Sequence, residues 1–290
     1  EGVRLQTLVR LRWLAVGGQT AAVLFVYVVL GFPLPLGACL AVIALSAWLN
    51  VFLSVRWRSS LRLHDRYAAL LLGYDILQLA GLLYLITYLA IPTVVLYGPA
   101  LDDSNFIASM DDSTGVLWAA VLELIVAFAI VGTGVALYPV LKRQNEGVAL
   151  GFVSARVIET GIIVVGIISL LAVVTLRQDP AAGTDPAALV TTGQALVSIQ
   201  NLTFLIGQGL LPGLNGILLG FLFYRSGLVP RILPAMGLIG GPLMISSVIG
   251  QIFGINEQVS IWSGIALVPI FLWEFSLGLW LVFKGFRPSA

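Results

Sequence analysis

Eight stretches of this chain are each about twenty residues long and nearly free of charge, and no other feature of the sequence limits the fold as strongly. They run at about Leu14–Leu30, Leu36–Val55, Leu70–Val95, Val116–Tyr138, Val157–Leu176, Leu202–Tyr224, Ile232–Phe253 and Gly264–Phe283. A helix rises about 1.5 Å per residue and a bilayer core is roughly 30 Å thick, so about 20 apolar residues cross it. Charged residues are 10% of the chain, where a soluble domain carries about 25%. With a mean hydropathy of +1.02, the chain reads as an all-α polytopic membrane protein of about eight transmembrane helices. The first run is too long for a signal-peptide core and reads as a retained helix. Residues Ala187–Gln200 are less apolar and are expected to form a short interfacial helix before the sixth span. Pro92 is expected to bend or end the third helix, and Pro242 to kink the seventh.

Lysine and arginine in the short loops set the orientation. With eight spans, all fifteen except Arg177 fall on one side, counting Arg156 with Lys142 and Arg143 in the loop before the fifth span. Both termini are therefore expected to be cytoplasmic. Trp57, Trp118, Trp262 and Trp280 lie near span ends, where interfacial tryptophans belong.

Several chemistries have no support in the residues. One cysteine, Cys39, excludes an internal disulfide, and one histidine, His64, excludes a histidine-based metal site. No nucleophile–base pair, phosphate loop or metal-ligand cluster is present, and no basic cluster with interleaved aromatics points to nucleic acid. No catalytic residue and no metal site is expected, and the chain is read as a non-enzyme.

The informative residues are the polar ones inside the spans, since a mid-membrane carboxylate costs about 2.5–3.5 kcal/mol and should face a partner in the bundle. Counted by depth, Glu123 lies level with Gln208, and Glu274 with Asn215. The sixth helix is thus expected to pair Gln208 with Glu123 and Asn215 with Glu274. An inner polar cluster combines Asp75, about 10 Å from the cytoplasmic end at ~1.5 Å per residue, with Arg156 and Glu159 near the inner surface. Arg156 and Glu159 are three residues apart and share a helical face. Two readings are open for these groups: interhelical glue, or a polar interior site for a proton, ion or small ligand. The sixth span is also rich in glycine and proline (Gly207, Gly209, Pro212, Gly213, Gly216, Gly220), which permits close packing or a broken helix lining a cavity.

Two resemblances meet in the third span. Thr7–Gln19 (TLVRLRWLAVGGQ), Gly31–Val51 (GFPLPLGACLAVIALSAWLNV) and Tyr74–Leu85 (YDILQLAGLLYL) resemble the membrane region of RegB/PrrB-type redox-sensing histidine kinases. That family continues into a Gly-Gly…Asn-Pro-Phe segment implicated in quinone sensing. This chain continues Ile86-Thr87-Tyr88-Leu89-Ala90, and neither a phospho-acceptor histidine box nor an ATP-binding domain follows in it. No cofactor is expected; a quinone held by Tyr74, Asp75 and Gln78 is the alternative this resemblance implies. From about Ala80 onward, Leu137–Glu159 (LYPVLKRQNEGVALGFVSARVIE), Phe221–Arg231 (FLFYRSGLVPR), Gly237–Leu243 (GLIGGPL) and Trp273–Phe286 (WEFSLGLWLVFKGF) resemble a bacterial membrane family known only as domain of unknown function 4386.

Together these imply residues 1–79 as a RegB-like hairpin with the start of the third helix, and 80–290 as a six-helix bundle sharing that helix. Such an overlap is what a fusion or chimera at a shared helix produces, and a bacterial inner membrane is the expected location. The leading expectation is a non-enzymatic integral membrane module, ligand-responsive or organising, with the lipid bilayer and another membrane protein or a second copy as partners. The alternative is a proton-coupled small-molecule transporter using the intramembrane acids and the sixth helix.

Overall fold

The computed structural model describes residues 65–103, 105–108, 112–178 and 186–286, with scattered helical positions between residues 13 and 51. The runs Leu14–Leu30 and Leu36–Val55 fall largely outside the described residues, as do Cys39, Trp57 and His64. Two compact units divide the chain, Glu1–Leu79 and Ala80–Ala290. Their boundary falls within helix α1, Asp65–Ile86.

Every regular element among the described residues is helical. After α1 come a 3₁₀ turn at Thr87–Leu89, α2 at Ala90–Asp102 and α3 at Thr114–Leu141. Helix α4 spans Glu146–Gln178 and α5 spans Pro186–Phe204. A π-helical turn at Leu205–Leu210 leads into α6, Leu211–Ser226. Helices α7, Ile232–Ile252, and α8, Ile261–Phe283, complete the second unit. Six helical stretches among the described residues are long and apolar enough to cross a membrane: Ile76–Asp102, Thr114–Leu141, Glu146–Gln178, Ala187–Ser226, Ile232–Ile252 and Ile261–Phe283.

Local chemistry marks the boundaries. Before α3, Asp112 Oδ1 accepts from the Thr114 hydroxyl and backbone N–H, which hold this carboxyl below the usual carboxylate range. Gly227 ends α6 in the left-handed region at φ 66, a conformation open to glycine without a Cβ penalty. Ser260 begins α8 by accepting from the Ser263 backbone N–H. Pro92 does not end the third span, but the α-helix gives way to a 3₁₀ turn just before it. Lacking an N–H for the Tyr88 carbonyl, it follows the 3₁₀ turn at Thr87–Leu89, and α2 then continues to Asp102. Pro242 lies inside the single helix α7.

Residues 187–200, expected as a short interfacial helix leading into the sixth span, are helical and continuous with it, the first part of one 40-residue helical stretch, Ala187–Ser226. Its hydroxyl residues are satisfied by their own helix. Thr191, Thr192 and Ser198 donate to the carbonyls of Ala187, Ala188 and Gln194 one turn back, and Thr203 donates to that of Gln200. At ~1.5 Å per residue the stretch is about 60 Å long, twice a bilayer core.

In the second unit α3 packs on α2 and α4, α4 also on α5 and α6, and α7 lies between α6 and α8. Near the α2–α3 connection a core forms from Tyr97, Phe106, Ile107, Val116, Leu170 and Val173. Large apolar side chains such as Val95, Phe128, Val135 and Ile239 point outward, as a lipid-facing surface requires. Helices α1 and α8 touch at glycines. A Cβ on Gly81 would lie 2.7 Å from the Gly278 carbonyl oxygen and 2.8 Å from Val282, so the contact depends on the missing side chain. We therefore expect Gly81→Leu to destabilise the bundle by about 1–3 kcal/mol through overpacking. Gly161→Ala, at a helical position with nothing within 4 Å, should be neutral or stabilising by up to about 1 kcal/mol. Thermal unfolding of the two variants in one detergent checks the contrast.

Candidate functional site

Arginine 156 organises the interior of the second unit. It is 3% exposed and sits within α4, about 15 Å from the helix start at ~1.5 Å per residue. It is therefore corrected from a loop cation to a buried cation within a helix. Helix α4 begins at Glu146, ahead of the apolar run that starts at Val157, because the charges that lower local hydropathy there are matched by one another. Arg156 Nη1 donates to Glu159 Oε2 at 3.1 Å, and Nη2 donates to Glu274 Oε1 and to the Tyr84 hydroxyl, each at 3.1 Å. The guanidinium also lies against the Tyr84 and Phe152 rings, 5.3 and 5.5 Å from their centroids. Asn215 Nδ2 on α6 donates to Glu159 Oε2 at 2.7 Å. One cation thus links α1, α4 and α8, and Asn215 extends the network to α6.

A second network surrounds Glu123, which is 2% exposed on α3. Gln208 Nε2 donates to its Oε1 at 2.6 Å, and the Tyr97 hydroxyl donates to its Oε2 at 2.8 Å. Gln208 lies in the π-helical turn, a form of bulge that is frequent at functional sites.

Of the residues singled out by depth, Gln208 and Glu123 are brought together. Asn215 and Glu274 are not paired: Asn215 binds Glu159, and Glu274 takes Arg156 instead. Matching depth does not fix azimuth, and a guanidinium is the stronger partner for a buried carboxylate. Asp75 lies on α1 in the first unit, and its side chain, with that of Tyr74, is outside the described residues; Gln78 is buried. Tyr84 and Tyr97 lie in apolar runs whose hydropathy gives no sign of a polar role. The signal that could have found them is that a buried tyrosine hydroxyl needs a polar partner.

A cavity of about 170 Å³ lies between these networks, reached by Arg156, Glu159, Gln208 and Glu274. Thr87, Tyr88, Ile130, Met244, Leu267 and Phe271 supply much of the remaining wall. Ile91, Leu267 and Phe271 in this wall are also exposed at the outer surface of the bundle, so the cavity opens sideways between α2 and α8. The Tyr88 hydroxyl donates to the Phe271 carbonyl at 2.8 Å and joins the two sides of this opening. No group of three or more His, Cys, Asp or Glu side chains among the described residues is arranged to hold a metal ion.

Such a bundle, with a charged interior and a lateral cavity, defines an integral membrane helical module. The chain belongs to the family described as Domain of unknown function (DUF4386), whose model matches residues 79–285. It is also similar to Sensor histidine kinase RegB of Cereibacter sphaeroides, 30% identical over 210 residues, which are 70% of this chain and 42% of that protein. A further RegB of that organism is 38% identical over 80 residues, 28% of this chain and 17% of the relative. The chain therefore spans less than half the length of the curated relatives it matches. No solved structure matches it.

Removing one partner of a buried ion pair leaves an uncompensated charge and costs about 3–5 kcal/mol. Arg156→Gln should destabilise the bundle by that order. Adding Glu159→Gln to Arg156→Gln should recover part of the loss, a coupling read from a double-mutant cycle of thermal unfolding. Tyr97→Phe should cost about 1–3 kcal/mol by leaving Glu123 one donor short.

Proposed function

We propose that this protein is a ligand-responsive, non-enzymatic membrane module that takes a small molecule from the bilayer into the lateral cavity. One observation supports the reading above others: a cavity of about 170 Å³, open sideways, has three charged side chains in an otherwise largely apolar wall. Interhelical glue alone needs no such space. A cavity of ~150 Å³ is enough to admit benzene, so the volume fits a single substituted ring. Thr87 and Tyr88 of this wall follow directly on α1, the helix that also carries the boundary between the two units. In this reading occupancy changes the packing at the start of the bundle, and α1 passes the change to the N-terminal residues. The similarity to a sensor histidine kinase supports a sensor-like role over transport. The full arrangement we infer is an N-terminal hairpin, residues 1–79, appended to the bundle of 80–290. It has eight spans with both termini cytoplasmic, in a bacterial inner membrane.

The test uses the full chain in lipid nanodiscs and three isosteric probes: 4-fluorobenzyl alcohol, 4-fluorobenzylammonium and 4-fluorobenzoate, followed by ¹⁹F NMR. At least one probe should bind saturably, and Met244→Trp or Ala90→Leu, which narrow the cavity, should weaken that binding about tenfold or more, as expected when a packed site is overfilled. Absence of saturable binding, or binding indifferent to both substitutions, overturns the reading.

A further inference from the structure

The charges around the cavity do not balance, and the imbalance identifies a ligand class. Among the described residues one guanidinium faces two carboxylates. Glu159 is fully engaged: Arg156 Nη1 approaches both of its oxygens, at 3.4 and 3.1 Å, and Asn215 donates to one of them. Arg156 and Glu159 are each 3% exposed and paired, and the same guanidinium is shared with Glu274. Glu274 is the surplus acid. Its Oε1 accepts from Arg156, and no donor among the described residues reaches its Oε2. At 18% its side chain is more exposed than those of its two charged neighbours, and it lines the cavity. The remaining uncommitted atoms of the network, Arg156 Nε and Asn215 Oδ1, are enclosed in the protein. Counted formally, the triad has one more carboxylate than cation, and Glu274 presents its uncommitted oxygen on the cavity side.

Aromatic rings stand beside that acid. Tyr88 and Phe271 both line the cavity. Tyr88 meets Phe271 edge-on at 5.1 Å between centroids and Phe275 at 5.4 Å, and Phe271 and Phe275 are stacked at 6.1 Å. A carboxylate next to aromatic walls is the environment that recognises an organic ammonium, through a charge-assisted hydrogen bond and cation–π attraction. A surplus carboxylate in a membrane interior also carries a desolvation penalty that a cationic occupant relieves.

We propose that the cavity binds an organic ammonium cation with a short apolar or aromatic tail, entering between α2 and α8, and that Glu274 is its counter-ion. This rests on the ligand-responsive reading and specifies the ligand's charge. With the same probes in nanodiscs, 4-fluorobenzylammonium should bind at least about tenfold tighter than the isosteric alcohol, and the benzoate weakest. Glu274→Gln should abolish the ammonium's advantage over the alcohol, the two probes being compared within the same variant. Phe271→Leu should reduce ammonium affinity several-fold more than alcohol affinity. Its result stands even if Glu274→Gln does not fold. If the alcohol binds as well as the ammonium in a Met244→Trp-sensitive manner, the cavity reading survives and the cation assignment falls. An ammonium preference that persists in Glu274→Gln, or a benzoate preference, also overturns the assignment. If no probe responds to narrowing of the cavity, both readings fall together.

Discussion

A single guanidinium holds the interior of this bundle together. Arg156 is inside α4, yet its contacts reach Tyr84 on α1 and Glu274 on α8, and its partner Glu159 is reached from α6 by Asn215. In hydrocarbon, apolar side chains gain little by touching protein rather than lipid, so packing leaves helix rotation weakly determined. A buried arginine with several acceptors determines it strongly, because each contributing helix has one orientation that satisfies the charge. Close helix contacts fit this arrangement. Gly134 on α3 faces the Arg156 side chain, where an added Cβ would stand 3.5 Å from Cβ of the arginine.

Much of this was legible in the residues, for identifiable reasons. Apolar length located the six described spans because crossing a bilayer imposes a nearly fixed number of residues. Depth counting set Gln208 level with Glu123, and the two are hydrogen-bonded. It also set Asn215 level with Glu274, and there the helices face differently, so Asn215 meets Glu159. One-dimensional depth carries no information about azimuth. The span starts were harder. Hydropathy falls at Arg156 and Glu159, so a sequence window ends the helix near them, whereas in the fold the two charges stabilise each other and α4 begins at Glu146. The same error made Arg156 count as a loop cation. Tyr84 and Tyr97 are not legible in the sequence, because a tyrosine in an apolar run has the signature of packing material until its hydroxyl is placed.

The two polar networks differ in kind. Around Glu123 only neutral donors are present, Tyr97 and Gln208, and this acid is nearly sealed. Around Arg156 the groups are charged, and one side of the network meets the cavity. Gln208 belongs to both settings, since it binds Glu123 and also lines the cavity. A molecule in the cavity would therefore touch α6 through a residue already committed to α3.

The π-helical turn at Leu205–Leu210 has a consequence for how this helix can change over time. A π turn contains one more residue than the α-helical turn it replaces, which advances the helical phase by about 100°. Residues before it, from Pro186 to Phe204, and after it, from Leu211 to Ser226, are therefore out of register with any single amphipathic stripe. The two halves can accumulate substitutions under separate packing rules, one set by α4 and the other by α7. Loss of a single residue in the turn would restore one continuous phase and rotate one half against its neighbours. The insertion is thus a hinge in sequence space, where a one-residue length change alters the lining of the interior far more than most point substitutions in either half.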